Sequence, residues 1–195
     1  MNIIVLNRET AIKEVRNLTA PAAVISISTV GDTAPMFNEQ PGVMVFYTFF
    51  DDVDEGDAIY HPITDRQAND IADFARGLTD IDTLVVHCDA GVSRSAAVAA
   101  AIGKYFTGDD MFIFGRPRFT PNRTVYRKVL TALFERELSD GEKFDLKRKE
   151  YWNQKIWHHY FLTTETEKEF LDIGEIPIDE ELMPENLWAK PINKI

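Results

Sequence analysis

A strand, a short loop and a helix follow one another directly between Thr83 and Ile102, and this unit restricts the possible folds more than any other part of the sequence. The run Thr83–Cys88 has the length and the apolar composition of a buried strand. Residues 96–102 consist of alanines, one valine and one isoleucine, which together predict a helix. The loop of residues 88–94, here named the Cys–Arg loop, connects the two.

Further strands and helices alternate along the chain before and after this unit. Three β-prone runs precede it, at 3–6, 22–28 and 43–50. Helices are predicted over residues 10–18, from a capping box at Thr64 and Gln67 to about residue 78, and from Thr120 as N-cap with Pro121 as the first helical residue. Strands separated by helices predict an α/β fold with a central, mostly parallel sheet flanked by helices.

The pattern is coherent to about Leu138 and then changes. We therefore expect one domain over residues 1–138 and a charged, aromatic C-terminal extension over residues 139–195. Trp157, Tyr160 and Phe161 would share one face of a helix in this extension. This face is expected to pack on the core, and a docking surface for a partner is the alternative.

Composition narrows the classes of partner. The 195 residues include 32 acidic and 21 basic side chains, a formal charge of −11, which disfavours nucleic acid and anionic membranes as partners. The single cysteine excludes an internal disulfide, and no run is long and apolar enough for a signal peptide or a membrane span, so a cytoplasmic location is expected. No metal or other cofactor is expected, because the sequence contains no convincing set of metal ligands, and the adjacent His158 and His159 would point in different directions. The oligomeric state stays open.

The residues of the Cys–Arg loop suit the chemistry of a phosphoryl group. Cys88 lies at the end of a strand and below a helix N-terminus, where backbone amides favour the nucleophilic thiolate. Gly91 permits a backbone conformation that lets successive amides of residues 89–94 point inward around an anion. Arg94 offers a planar fork that matches two phosphate oxygens, and Ser95 can donate a hydrogen bond to the sulfur when it leaves.

Simpler interpretations exist for two of these residues. Cys88 could be an ordinary buried cysteine, but the flanking glycine and arginine disfavour that interpretation, since a buried arginine needs an anionic partner. His87 could orient the loop or tune the thiol, and it could equally be a core histidine with satisfied hydrogen bonds. The sequence leaves both possibilities for His87 open.

The pattern His87-Cys88-x-x-Gly91-x-x-Arg94-Ser95 resembles the signature loop of the protein tyrosine phosphatase superfamily. The stretch from Ala90 through Val92 and Ser93 to Ser95 resembles that of its dual-specificity branch. Arg116-Pro117 and Pro121-Asn122, before an amphipathic helix, are similar to the segment that follows the signature in that branch. The resemblance covers about residues 1–138 and implies a phosphatase-type fold.

The resemblance also implies a general acid on a loop upstream of the signature. The candidates lie in the acidic loop, residues 51–57, and are Asp51, Asp52, Asp54 and Asp57. Asp52 stands where the dual-specificity branch carries its acid. Asp51 is its rival, because a shift of one residue reverses which side chain faces the pocket.

The expected function is hydrolysis of phosphotyrosine, and of phosphoserine or phosphothreonine, in proteins or peptides through a cysteinyl-phosphate intermediate. An acidic residue at position 89 disfavours substrates that carry several phosphates. Three alternatives stay open: a non-catalytic phosphate- or phosphopeptide-binding module, an RNA 5′-triphosphatase and a sulfurtransferase. The sequence does not name the physiological substrate.

Overall fold

The computed structural model describes residues 1–37, 41–56 and 59–162, with side chains up to residue 155. Four strands and six α-helices occur in this part of the chain. In chain order they are β1 (Asn2–Asn7), α1 (Arg8–Glu14), β2 (Ala22–Ser28), β3 (Val43–Phe49), α2 (Asp65–Arg76), β4 (Thr83–Cys88), α3 (Arg94–Thr107), α4 (Met111–Phe114), α5 (Arg123–Phe134) and α6 (Asp140–Leu162).

The four strands form one sheet in the order β1-β4-β2-β3, and every neighbouring pair is parallel. This confirms the predicted α/β fold with a central parallel sheet. Because all strands run in one direction, their carboxyl ends lie at the same edge of the sheet. The Cys–Arg loop leaves β4 at this edge, between the ends of β1 and β2.

Apolar side chains cover both faces of the sheet. All seven residues of β2 are buried, and so are the first ten residues of α3, from Arg94 to Gly103. Helix α3 packs against β4, β1 and α5, and α2 packs against α5, so these helices build the larger core. A smaller cluster of Val15, Val24 and Val85 lies apart from that core.

Two helix starts differ from the prediction. Helix α1 begins at Arg8 rather than at residue 10, because the Asn7 side chain accepts a hydrogen bond from the Thr10 amide and caps the helix directly after β1. Helix α5 is capped by Asn122 instead of Thr120. The Asn122 Oδ1 accepts from the Val125 amide at 2.9 Å, so Pro121 lies before the helix.

The C-terminal extension contains α6, which packs against the rest of the molecule through buried polar side chains. Asn153 Nδ2 donates to the carbonyls of Phe114 and Phe119, at 3.1 and 2.9 Å. Lys149 forms an ion pair with the buried Asp110 at 3.0 Å. The predicted aromatic face of Trp157, Tyr160 and Phe161 lies outside the described side chains, and the division into two parts stays a prediction.

Across the described ranges, no helix combines the length and the apolar character that crossing a membrane requires.

Candidate active site

The candidate site lies where the four strands end. The Cys–Arg loop follows β4, and three other strand ends surround it with side chains or carbonyls. Arg8 follows β1, Thr29 follows β2, and Phe50 follows β3. Each of these residues contacts the loop or its arginine, so the parallel sheet brings together residues that are far apart in the sequence.

The Cys88 sulfur is buried and has two hydrogen-bonding neighbours. The Gly91 amide donates to Sγ at 3.3 Å, and Ser95 Oγ lies 3.1 Å from it. The 14-residue helix α3 begins at Arg94, so the loop ends at a helix N-terminus. Backbone N–H groups and the positive end of the helix dipole therefore face the region of the sulfur, an arrangement that suits the binding of an anion.

Gly91 meets two requirements that other residues would not. Its φ of 70° lies in the left-handed region, which side chains with a β-carbon rarely adopt. A β-carbon there would also come within 2.5 Å of the Asn7 nitrogen and the Leu6 carbonyl carbon. The loop therefore packs directly on the end of β1, and glycine permits both the curl of the loop and this close approach.

The Arg94 side chain is buried and is held along one edge of its guanidinium. Nη1 donates to the Phe50 carbonyl at 2.8 Å and to Thr29 Oγ1 at 3.1 Å. Nη2 donates to Asp89 Oδ2 at 2.6 Å. Nε is buried, and no residue in the described part of the chain accepts its proton. Burying an N–H donor without a hydrogen-bond partner costs free energy. The edge of the guanidinium that carries Nε therefore suits an anionic ligand.

Asp89, the first residue after the cysteine, accepts hydrogen bonds from two other residues besides Arg94. Thr29 Oγ1 donates to Oδ2 at 2.9 Å, and Arg8 Nη1 donates to Oδ1 at 3.2 Å. Partial burial acts to raise the pKa of Asp89, but the hydrogen bonds from Arg94, Thr29 and Arg8 outweigh it and hold that pKa below its ordinary value. The Asp89 side chain is therefore an ionised carboxylate where it contacts Arg8 and Arg94.

The two leading acid candidates have different surroundings. Asp51 is buried, and its carboxylate accepts from the amides of His61 and Val30 at 2.7 and 3.2 Å. The hydrogen bond from the His61 amide is the main reason that the pKa of Asp51 is lowered. Asp51 thus connects the start of the acidic loop to the loop after β2 and to residue 61.

Asp52 is exposed and contacts the Cys–Arg loop directly. Its Oδ1 accepts from Ser93 Oγ at 2.7 Å and from Asn122 Nδ2 at 3.0 Å. Asp54 accepts instead from the Thr124 amide at the start of α5, 3.2 Å away. Asp57 lies outside the described residues. Of the described candidates, Asp52 is the carboxylate that contacts the Cys–Arg loop, through Ser93.

His87 lies in the core of the sheet. Its ring is fully buried, Nε2 is 2.9 Å from Ser26 Oγ, and the Phe37 ring packs edge-on at 5.4 Å between centroids. Burial lowers the pKa of His87 to about 4, so the ring is neutral at pH 7. Nδ1 is buried too, and no described residue forms a hydrogen bond with it, so the two interpretations of His87 both stay open.

Sequence reasoning missed Arg8 and Thr29 and did not assign a role to Asn122. Arg8 and Thr29 reach the loop from the ends of β1 and β2, and no local pattern marks them. The one available signal was their position directly after β-prone runs, since side chains just beyond parallel strands converge. Groups of three or more His, Cys, Asp or Glu side chains that could hold a metal ion do not occur among the residues described.

Comparisons with known proteins add little to this geometry. No protein-family model and no curated protein matches the chain. Among solved structures, the chain is similar to one described as the crystal structure of human DUSP28. The two share 16% sequence identity, the match covers 78% of this chain and 94% of that chain, and the TM-score is 0.41. A likeness at this level carries no conclusion about activity.

Proposed function

We propose that this protein is a cysteine-dependent phosphomonoester hydrolase that acts on phosphotyrosine, and also on phosphoserine and phosphothreonine, in proteins or peptides. One observation supports this most. The Cys88 sulfur lies between the Gly91 amide and the Ser95 hydroxyl, at the start of the helix that also carries the buried Arg94, whose Nε has no hydrogen-bond partner among the described residues. A nucleophile and a cationic fork thus occur on one short loop.

In the first step, the Cys88 thiolate attacks phosphorus, and the bond from phosphorus to the ester oxygen breaks. The loop amides and the free edge of Arg94 bind the equatorial oxygens, so positive partial charge faces the oxygens on which negative charge lies. Asp52 gives its proton to the leaving oxygen. The products of the step are a cysteinyl phosphate and a neutral alcohol or phenol.

In the second step, water attacks the cysteinyl phosphate, and the sulfur–phosphorus bond breaks. Asp52, now a carboxylate, takes a proton from the water. Ser95 Oγ, 3.1 Å from the sulfur, donates a hydrogen bond to the departing thiolate and makes it a better leaving group. Inorganic phosphate leaves, and the cycle returns to the thiolate and the protonated acid.

Asp52 is a better general acid than Asp51 because of what each carboxylate contacts. Asp51 accepts from the amides of Val30, on the loop after β2, and of His61, and those bonds favour the charged form, which has no proton to give. Asp52 is solvent-exposed and lies against Ser93 of the Cys–Arg loop. A carboxylate in this position can reach the ester oxygen of a substrate that is bound in the Cys–Arg loop.

A single phosphate on a protein is the substrate class that fits the charges of the site. Asp89 and the overall charge of −11 disfavour ligands with several phosphates, which argues against an RNA 5′-triphosphatase. A sulfurtransferase needs no general acid and would not use Asp52. A binding module would keep the loop but would not turn over.

The test is hydrolysis of phosphotyrosine and phosphoserine peptides by the wild-type protein beside Cys88→Ser. We expect vanadate-sensitive release of phosphate from both peptides by the wild type and none by the variant. If the wild type binds tungstate but releases no phosphate, the protein is a phosphate-binding module and not an enzyme. Release that persists in Cys88→Ser would contradict the proposed nucleophile.

A further inference from the structure

Asp89 lies on the loop that would bind phosphate, although its own charge would repel phosphate. Its two carboxylate oxygens accept from three donors on three different parts of the chain, Arg8, Thr29 and Arg94. A carboxylate that is fully engaged with side chains in this way is not free to serve as a substrate contact or as a general acid. Its partners indicate another role.

Asp89, Thr29 and Arg94 form a closed ring of hydrogen bonds. Arg94 Nη1 donates to Thr29 Oγ1, Thr29 Oγ1 donates to Asp89 Oδ2, and Arg94 Nη2 donates to the same Oδ2. Because the ring includes both terminal nitrogens, it lies along the Nη1–Nη2 edge of the guanidinium. The second Nη1 hydrogen is taken by the Phe50 carbonyl. An arginine has five N–H donors, and these contacts use three of them. The remaining two, the Nε–H and the second Nη2–H, lie on one edge of the guanidinium.

That remaining edge is the fork with which an arginine binds two oxygens of a phosphate. Its direction is set by whatever holds the opposite edge, since the planar guanidinium moves as one unit. Asp89 supplies the charged bond on the held edge, and Arg8 in turn fixes the second oxygen of Asp89 at 3.2 Å. Arg8 is itself anchored through its backbone amide, which donates to the Asp89 carbonyl at 3.1 Å, and through Nη2, which donates to the Thr33 carbonyl.

We propose that Asp89 is a positioning residue that fixes Arg94 with its Nε–Nη2 edge towards the phosphoryl group, and that Arg8 holds Asp89 in place. The catalytic consequence rests on the proposed function, whereas the orientation of Arg94 does not. Arg8 also keeps this cluster positively charged, because the charges of Arg8, Arg94 and Asp89 add up to +1.

Asparagine is the informative replacement at position 89. Both oxygens of Asp89 accept hydrogen bonds from arginine side chains, and an asparagine would present a donor to one of them. We expect Asp89→Asn to lower kcat by about 10- to 100-fold, the usual cost of a misoriented catalytic contact. KM should stay unchanged or fall, because a negative charge beside the substrate phosphate has been removed. If Asp89 instead competed with substrate for Arg94, kcat would be unchanged or raised, and that outcome would overturn the proposal.

A double-mutant cycle with Arg8→Met tests the chain of contacts from Arg8 to Arg94. The loss in kcat for the double variant should be no larger than that for Asp89→Asn alone, since both changes release the same guanidinium. Independent, additive losses would contradict the role of Arg8. Asp32→Asn is the matched control, because Asp32 is an exposed carboxylate on the loop after β2 with no side-chain hydrogen bond or ion pair among the described residues. This control should keep wild-type kcat.

A measurement without turnover separates this proposal from the proposed function. The Arg94 Nε–H resonance in ¹H–¹⁵N spectra, assigned with Arg94→Lys, should be sharp in the wild type and shift when tungstate is added. In Asp89→Asn it should be broadened while the amide spectrum stays that of a folded protein. If the resonance is equally sharp in both proteins, Asp89 does not position Arg94, whether or not the protein hydrolyses phosphate. If the resonance broadens in Asp89→Asn and the wild type has no phosphatase activity, the proposed function is wrong and the positioning role of Asp89 is retained.

Discussion

Two neighbouring aspartates, Asp51 and Asp52, have different contacts because their side chains leave the backbone in different directions. Asp51 turns inward and binds the amides of Val30 and His61, while Asp52 turns outward towards Ser93 and Asn122. The first stabilises the start of the acidic loop, and in the proposed function the second protonates the leaving group. This division can be tested at the level of the single residue.

Replacing Asp52 with asparagine should slow the hydrolysis of a phosphotyrosine peptide about 10²- to 10⁴-fold, the usual contribution of a general acid. The loss should be much smaller for p-nitrophenyl phosphate, since p-nitrophenolate leaves without needing a proton. The measurement is the ratio of kcat for the two substrates in the wild type and in Asp52→Asn.

Asp51→Asn is the matched control for this ratio. It should lower the free energy of unfolding by about 1–3 kcal/mol, because a buried carboxylate loses its charge-assisted hydrogen bonds. Any loss of activity should be similar for both substrates. A loss that depends on the leaving group in Asp51→Asn, and not in Asp52→Asn, would exchange the two assignments.

At the scale of the element, α6 is attached to the core by a buried charge cluster. Lys149 lies between Asp110 at 3.0 Å and Asp145, and Tyr126 donates to Asp110 at 2.6 Å. Burial acts to lower the pKa of Lys149, but the two carboxylates outweigh it and raise that pKa. The lysine therefore stays charged, and Asp110 depends on it for compensation.

Lys149→Met should lower the free energy of unfolding by about 3–5 kcal/mol, since it leaves the Asp110 carboxylate buried without its cation. Adding Asp110→Asn should recover part of this loss, because the remaining buried group is then neutral. Lys143→Met is the control: its pair with Asp140 is exposed, so the change should be within about 0.5 kcal/mol. Urea unfolding of the four proteins measures this, and equal losses for the two lysine variants would contradict the account.

The elements also show what local sequence can predict. Strand β4, the Cys–Arg loop and α3 were predictable, because their residues are contiguous and each type has a local preference. The contacts of Arg8 and Thr29 with Asp89 were not, because the order β1-β4-β2-β3 creates them between residues far apart in the sequence. The described part of helix α6 buries Leu146 in the core and is also held by buried polar contacts such as those of Asn153, which hydrophobic periodicity does not detect.

At the scale of the whole molecule, His87 makes stability depend on pH. Its burial in the sheet holds its pKa at about 4 in the folded state, against an ordinary value of 6.5 in the unfolded chain. Well above pH 6.5 the His87 ring is neutral in both the folded and the unfolded state, so its titration does not change the free energy of unfolding. As the pH falls from 6.5 towards 4, the unfolded chain takes up a proton that the folded protein refuses, so stability is lost in this range.

Between pH 7.5 and pH 5, this histidine should lower the free energy of unfolding by about 2 kcal/mol. His87→Gln keeps a polar group near Ser26 but does not titrate, so its loss between the same two pH values should be smaller by that amount. Urea titrations at both pH values make the comparison. An equal pH dependence in the two proteins would mean that His87 titrates normally and is not held neutral by the core.

The central claim is that the Cys88 sulfur accepts the phosphoryl group. The most direct measurement is mass spectrometry of the protein after acid quenching during turnover of p-nitrophenyl phosphate. We expect the added mass of one phosphoryl group on the peptide that contains Cys88, and its absence in Cys88→Ser. Turnover by the wild type with no phosphoryl group on that peptide, or with the group on another residue, would contradict it.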